Sequence, residues 1–199
     1  MTPRASPRRE ELLEAAYAYV LRTGLGVLSL RPLAAAIRSS PRVLLYLFGS
    51  KEGLIRALLA RARSDELALL GRISARREEV GRLQSVVREL WRWLSDESHR
   101  GLLTLWTESY ARSLTDPDGP WAGFARDTVD DWLTLLADAQ PPGMRDTDEG
   151  LAQRTLALAV LRGALLDLLA TGDVTRTTAA VHAHLARSVE ETATAADRS

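Results

Sequence analysis

Histidine and cysteine are the side chains that most often carry nucleophilic, acid–base or metal chemistry, and the chain of 199 residues holds few of them. Its three histidines are His99, His182 and His184. The last two are two apart on a predicted helix, so they point roughly 200° apart and cannot chelate one ion together. There is no cysteine, and no carboxylate accompanies a histidine pair in a metal-binding pattern. We therefore expect no catalytic residue, no metal site and no cofactor.

Charged residues are unevenly distributed, although the formal net charge is +0. Through Arg63 there are eleven Lys or Arg against four Glu, a net of +7, and the remainder has fifteen Arg against twenty-two Asp or Glu, a net of −7. A compact basic region can replace the counterions condensed on a nucleic-acid backbone, which would repel the acidic remainder. The alternative is a chance fluctuation of composition.

Three helices are predicted in the first fifty residues, from the spacing of apolar side chains and from capping residues, at 8–23, 30–37 and 41–48. Ser29 and Ser40 stand where N-caps are expected, Pro41 suits the first turn, and Gly49 closes the third helix. The turn between the second and third helices is so short that they must cross steeply. This is the helix-turn-helix arrangement.

The rest of the chain also has helical patterns. A fourth helix begins at Lys51 and runs to about Leu70, and five more are predicted near 74–95, 99–114, 121–139, 148–171 and 174–195. TDPDGP at 115–120 and PPGM at 141–144 separate some of them. The predicted fold is therefore all-α, with an amino-terminal three-helix helix-turn-helix domain followed by an antiparallel helical bundle, about nine helices in total.

Neither a secretory nor a membrane segment is expected. The first ten residues, MTPRASPRRE, carry charge with no long apolar stretch behind them, and no run approaches the roughly 18 to 20 apolar residues of a membrane span. Together with the lack of cysteine, this predicts a cytoplasmic protein without a membrane partner.

The amino-terminal segments RREELLEAAYAYVLRTG, SLRPLAAAI and SSPRVLLYLFGSKEGL resemble the DNA-binding domain of the tetracycline-repressor (TetR) family of bacterial transcription regulators. The resemblance covers about the first sixty residues. It implies a helix-turn-helix DNA-binding domain at 1–50, a connecting helix at 51–70 and a ligand-binding and dimerisation domain at 71–199. It also implies a homodimer on a near-palindromic double-stranded operator, released by a small, mostly apolar effector. Family habit favours a repressor over an activator.

In this resemblance the helix at 41–48 is the recognition helix, held by the inward residues Leu44 and Phe48. Arg42 would donate to guanine or phosphate, and Tyr46 would reach a phosphate. The residues expected to contact DNA are Arg31, Ser40, Pro41, Arg42, Val43, Tyr46 and Lys51. For the arginines and Lys51 the alternative is solvated surface, and Tyr46 could instead be half-buried.

Two positions depart from the family pattern. Arg38 stands where members usually have a glycine with a left-handed backbone, and Leu47 stands where many have His or Tyr on a phosphate. The turn could therefore be altered and phosphate contacts fewer, although Arg38 could add a charge beside DNA. These departures keep a second function open, a helical protein-interaction module or a degenerate regulator with weakened DNA binding.

Aromatic residues mark the predicted effector site. Trp106 and Tyr110 are one turn apart, and Phe124 and Trp132 share a face with Thr128 between them, so two aromatic stripes could enclose an apolar cavity. The proposed lining is Trp91, Trp106, Tyr110, Phe124, Thr128 and Trp132, with Tyr110, Thr107, Glu108 or Asp131 to orient the ligand. The plain alternative for each aromatic residue is a place in the core.

The run TLALAVLRGALLDLLATGD at 155–173 is apolar nearly all round, as expected of a helix buried in the core or at a subunit interface. The family pairs its last two long helices with those of a second copy. We therefore expect 148–171 and 174–190 to form a homodimer, with Arg162, Gly163, Leu166 and Leu169 at the interface.

Overall fold

The computed structural model describes residues 6–75 and 83–196, and all regular structure in these ranges is helical. The helices are α1 Pro7–Thr23, α2 Leu30–Ala36, α3 Pro41–Phe48, α4 Lys51–Ala75, α5 Leu83–Leu94, α6 Arg100–Thr115, α7 Phe124–Asp138, α8 Pro142–Arg145, α9 Asp148–Thr171 and α10 Val174–Ala196. A 3₁₀ turn, Glu97–His99, precedes α6. The predicted all-α fold is confirmed.

The chain forms two compact units, one of residues 6–67 and 101–128, the other of 68–100 and 129–196 within the described ranges. The division falls within α4 and within α7. Packing of this kind does not show which segment binds DNA or a ligand. The functional division at 1–50, 51–70 and 71–199 therefore stays a prediction.

The first unit is built around the apolar faces of α1, α2, α3 and the start of α4. Its core includes Leu12, Ala16, Leu33, Leu44, Leu54 and Leu58, each no more than 2% exposed. Tyr17 of α1 donates to Asp65 of α4 at 2.8 Å, and Arg61 bridges Asp65 and Glu14. These polar contacts join the first and fourth helices of the unit.

In the second unit α9 and α10 pack against each other and both contact α5. Only Gly172 and Asp173 separate α9 from α10, so the two helices run antiparallel. Arg176 holds Asp167 through two hydrogen bonds of 2.7 and 2.6 Å, and the Trp91 indole donates to Thr178 at 2.9 Å. The buried face of α9 is formed by Ala157, Leu158, Leu161 and Leu168.

Several helix boundaries differ from the prediction. The segment PPGM was expected to be only a breaker, but Pro142–Arg145 forms α8, because proline lacks an N–H that the first turn would leave unpaired in any case. The helix predicted at 74–95 is observed as α5, and its residues 76–82 lie outside the described part of the chain. The fourth helix extends to Ala75, beyond Leu70.

Within residues 6–75 and 83–196, no helix combines the length and apolar character that a membrane crossing demands.

Candidate DNA-binding surface

The short helix α3 is held by its ends and by two buried side chains. The Ser40 hydroxyl accepts from the Val43 N–H at 3.3 Å, and Gly49, at φ 81°, ends the helix with its N–H donating to the Leu45 carbonyl at 2.8 Å. Leu44 is 1% exposed and Phe48 is 8% exposed. The predicted caps and inward residues of α3 are therefore confirmed.

The opposite side of α3 is open to solvent. Arg42, Val43, Leu45 and Tyr46 are exposed, and we call these four residues the outer face of α3. Tyr46 is 86% exposed, so it is not half-buried in packing. Pro41, Ser40 and Leu47 are half-buried. At 100° per residue, Arg42 and Tyr46 lie at the centre of this face, and Val43 and Leu45 flank them.

Arg38 lies in the turn between α2 and α3, and its backbone conformation shows the geometry of that turn. Among the described residues it is the one non-glycine with a positive φ, 53°. The left-handed geometry that the family resemblance implies is therefore retained, although a residue other than glycine is disfavoured there by about 1 kcal/mol. The Ser39 N–H donates to the Ala34 carbonyl at 2.8 Å across the turn. The altered turn considered from the sequence is not observed.

The start of α4 lies directly after α3. The Ser50 hydroxyl accepts from the Gly53 N–H at 3.0 Å and so caps the first turn of α4, and a Cβ on Gly53 would lie 2.0 Å from the Phe48 carbonyl oxygen. Only glycine permits this approach. Hydrogen bonding from its own backbone amide and from Ser50 lowers the pKa of Glu52, beside the exposed Lys51.

Arg31 is exposed early in α2, and Ser29 precedes that helix in an extended conformation. Ser29 makes no side-chain capping bond, so the sequence placed the helix start correctly but not its capping contact. The guanidinium of Arg9 lies 4.9 Å from the centre of the ring of Phe48, one of the two buried side chains of α3.

Glu108 of α6 has a position that the sequence did not reveal. Its Oε2 accepts from the backbone N–H groups of Leu25 at 2.7 Å and Gly26 at 3.3 Å, in the loop between α1 and α2. Nearby, a Cβ on Gly101 would lie 2.3 Å from the Leu21 carbonyl oxygen. Glu108 therefore supports the helix-turn-helix region through Oε2, and its role in orienting a ligand stays a prediction.

The residues predicted to line an effector site fall in both units. In the first unit Trp106, Phe124 and Thr128 are buried and Tyr110 is half-buried, and in the second Trp91 and Trp132 are buried. The indole of Trp91 is already bonded to Thr178, as suits a core residue. The Thr128 hydroxyl is buried without a hydrogen-bond partner among the described residues.

Of the predicted interface residues on α9, Gly163 and Leu166 are exposed in the single chain, whereas Arg162 and Leu169 are half-buried. A row of apolar residues repeats along this exposed side at alternating intervals of four and three. We call it the α9 stripe, and it consists of Ala152, Leu156, Ala159, Gly163, Leu166 and Ala170, all exposed. In the single chain α9 is therefore buried on one face only, and its expected burial at a subunit interface stays a prediction.

One further feature could not be read from the sequence pattern. Glu66 in α4 is 0% exposed, although a carboxylate on a predicted amphipathic helix would ordinarily be assigned to solvent.

No protein-family model matches the chain, and no curated protein matches it. Solved structures do. The multidrug binding protein EbrR complexed with imidazole is 25% identical, with 94% of this chain and 93% of that chain covered at a TM-score of 0.64. A transcriptional regulator from Rhodococcus sp. Rha1 is 21% identical, with coverages of 90% and 94% and a TM-score of 0.71.

A TetR transcriptional regulator from Legionella pneumophila is 17% identical, with coverages of 92% and 97% and a TM-score of 0.69. These likenesses span both units of the chain, well beyond the sixty residues that carry the sequence resemblance. The chain thus has the fold of the TetR-family transcriptional regulators.

Proposed function

We propose that this protein is a ligand-responsive transcriptional regulator, a repressor that binds a near-palindromic DNA operator as a homodimer and leaves it when a small, mostly apolar effector binds. The observation that carries the proposal is the outer face of α3, which is fixed from within by Leu44 and Phe48 and open to solvent on the other side. A short helix presented in this way suits the major groove.

The charges around α3 support a phosphate-bearing partner. Arg31, Arg38, Arg42 and Lys51 are all exposed. Tyr46 projects a hydroxyl that can donate to a phosphate oxygen, and Pro41 and Val43 offer hydrocarbon at the start of the helix, beside the Ser40 cap. The retained turn at Arg38 removes one of the two reasons for considering a regulator that has lost DNA binding.

The α9 stripe supports the homodimer. Its six residues repeat with a mean spacing of 3.6, the period of the α-helix, so they form a straight row along α9, and the small residues among them permit close approach of another helix. We propose that the α9 stripe, with Arg162 and Leu169 at its edge and α10 beside it, pairs with the same surface of a second copy. Two recognition helices would then address two half-sites of the operator.

For the effector we propose a flat aromatic compound. The EbrR structures contain imidazole, proflavin or ethidium, all ring compounds. In this chain Trp106, Phe124 and Tyr110 offer ring surfaces to such a compound in the first unit, which also contains Thr128. The buried, unpartnered hydroxyl of Thr128 would gain a bond to the ligand, since an unsatisfied buried hydroxyl costs about 1–3 kcal/mol.

The test is a selection of duplexes from a random pool by the full-length protein, followed by a salt titration of the enriched sequence. A regulator of this kind enriches a near-palindrome and loses affinity steeply with salt. Arg42→Ala should weaken DNA binding by about 1–3 kcal/mol and relax the base preference at one position of the half-site. Lys51→Ala should instead lower the affinity for all DNA sequences alike. No enrichment and no salt-dependent binding would exclude the proposal.

The effector is tested separately with proflavin and ethidium as probes. Either compound should quench the tryptophan fluorescence of the protein without DNA, and should release the wild type from the duplex at concentrations that do not release Thr128→Val, because intercalation into the duplex acts on both proteins alike. Thr128→Val, which keeps the side-chain shape, should weaken release more than it weakens DNA binding. A protein that binds the duplex and ignores planar aromatic compounds of every kind would retain the DNA part of the proposal and lose the effector part.

A further inference from the structure

The side chains of α3 offer little hydrogen bonding to base edges. Its sequence, PRVLLYLF, contains one charged residue, Arg42, and one hydroxyl, on Tyr46, and none of Asn, Gln, Asp or Glu. Adenine is read by an amide and cytosine by a carboxylate, whereas a guanidinium reads guanine. The Ser40 hydroxyl is already engaged by the Val43 N–H. Within α3, only guanine can be identified through a bidentate hydrogen bond.

Exposed hydrocarbon takes the place of those polar groups. Val43 is 38% exposed and Leu45 is 40% exposed, one on each flank of the outer face of α3. Neither is needed to hold the helix, because Leu44 and Phe48 do so from the buried side. In the major groove the apolar group that a base pair presents is the C5-methyl of thymine.

We infer that α3 identifies its operator mainly through thymine methyl groups, which contact Val43 and Leu45, with Arg42 reading a guanine near the centre of each half-site. The inference rests on the proposed function and adds to it the base composition of the operator. The partner is duplex DNA because exposed cations precede and follow this hydrocarbon along the chain, with Arg31 and Arg38 before α3 and Lys51 directly after it. The cations bind any phosphate backbone, and the methyl contacts then discriminate among sequences.

The experiment uses the duplex that the full-length protein selects. Each thymine of one half-site is replaced in turn by uracil, which removes the methyl group and leaves every hydrogen-bonding atom in place. Affinity should fall about fourfold at each contacted thymine, the loss that one buried methyl group predicts. Replacing such a pair by 5-methylcytosine with guanine should retain more affinity than replacing it by cytosine with guanine.

Two variants assign the contacts. Val43→Ala and Leu45→Ala should each abolish the difference between thymine and uracil at one position and leave the others unchanged. Leu114→Ala is the matched control, because Leu114 is 66% exposed on α6 and lies outside α3. This control variant should keep the preference for thymine over uracil at every position. Thermal melting of all three variants verifies that the fold is intact.

The outcomes separate the two proposals. If a duplex is selected and uracil is tolerated at every thymine, the inferred recognition of thymine methyl groups is wrong and the regulator proposal stands. The same conclusion holds if both alanine variants keep the full thymine preference. If no duplex is enriched at all, the regulator proposal fails and the inferred recognition of methyl groups fails with it.

Discussion

The helices α3 and α9 both leave apolar side chains in contact with solvent, but in different electrostatic settings. On α3 the exposed Val43 and Leu45 stand beside Arg42, within a region whose residues through Arg63 carry a net charge of +7. On α9 the stripe contains only alanine, glycine and leucine, and the chain beyond Arg63 carries −7. Exposed hydrocarbon alone therefore does not identify a partner.

The charges near each surface favour a different partner for the outer face of α3 and for the α9 stripe. Hydrocarbon surrounded by cations is suited to a polyanion that also presents methyl groups, which describes duplex DNA. A regular stripe of small residues and leucines is suited to an identical stripe, because two such helices can approach closely without burying a charge. The acidic net charge of the chain beyond Arg63 would itself repel DNA. The following four changes test this distinction and the packing of the unit that contains α3.

Leu166→Arg should abolish the dimer. It places a charge in the α9 stripe, and an unpaired buried charge costs about 3–5 kcal/mol, or roughly 10²–10⁴-fold in association. Sedimentation velocity should show a monomer at concentrations where the wild type is dimeric. Gln153→Arg is the control, because Gln153 is exposed on α9 outside the stripe. A dimer that survives Leu166→Arg would place the interface elsewhere.

Glu108→Ala should affect only the DNA-binding side. It leaves the Leu25 and Gly26 N–H groups without their acceptor, at a cost of about 1–3 kcal/mol in the free energy of unfolding. DNA affinity should fall because the α1–α2 loop loosens, while the dimer is unchanged. Glu108→Gln keeps an acceptor oxygen and should be milder. Equal losses in both variants would indicate that the charge of Glu108 matters more than its hydrogen bonds.

Arg38→Gly should separate stability from binding. Glycine accepts the φ of 53° without steric penalty, so the free energy of unfolding should be unchanged or rise by up to about 1 kcal/mol. If Arg38 also contacts a phosphate, the slope of DNA affinity against salt should fall by about one. Denaturant unfolding and salt titration measure the two effects. An unchanged slope would mean that Arg38 makes no phosphate contact.

Tyr17→Phe should change how stability depends on pH. Burial, and then the hydrogen bond to Asp65, raise the pKa of Tyr17 above its usual range. A raised pKa favours the neutral phenol in the folded state, so this contribution is present below about pH 10 and is lost as the pH rises further. The wild type should lose up to about 1.4 kcal/mol per pH unit there through this group. The control Tyr46→Phe should keep that dependence, because Tyr46 is 86% exposed.

The local signals of the amino-terminal region were sufficient to predict its helices. Ser40, Pro41 and Gly49 determine where α3 begins and ends through contacts within a single turn, and such contacts are visible in sequence. The short α8 was missed because a Pro-Pro-Gly segment predicts a break, and a four-residue helix has no periodicity to reveal it. The contacts of Glu108 span more than eighty residues, and no local pattern encodes them.

The sequence by itself determined the helical class, the helix-turn-helix and the side of α3 that faces inward, because these follow from the periodicity of apolar residues and from capping. Only the tertiary structure decided that Arg38 keeps a left-handed turn, that Glu108 supports the α1–α2 loop, and that α9 buries one face and exposes the other. The physical reason is that backbone strain, long-range hydrogen bonds and burial all depend on which distant residues become neighbours when the chain packs.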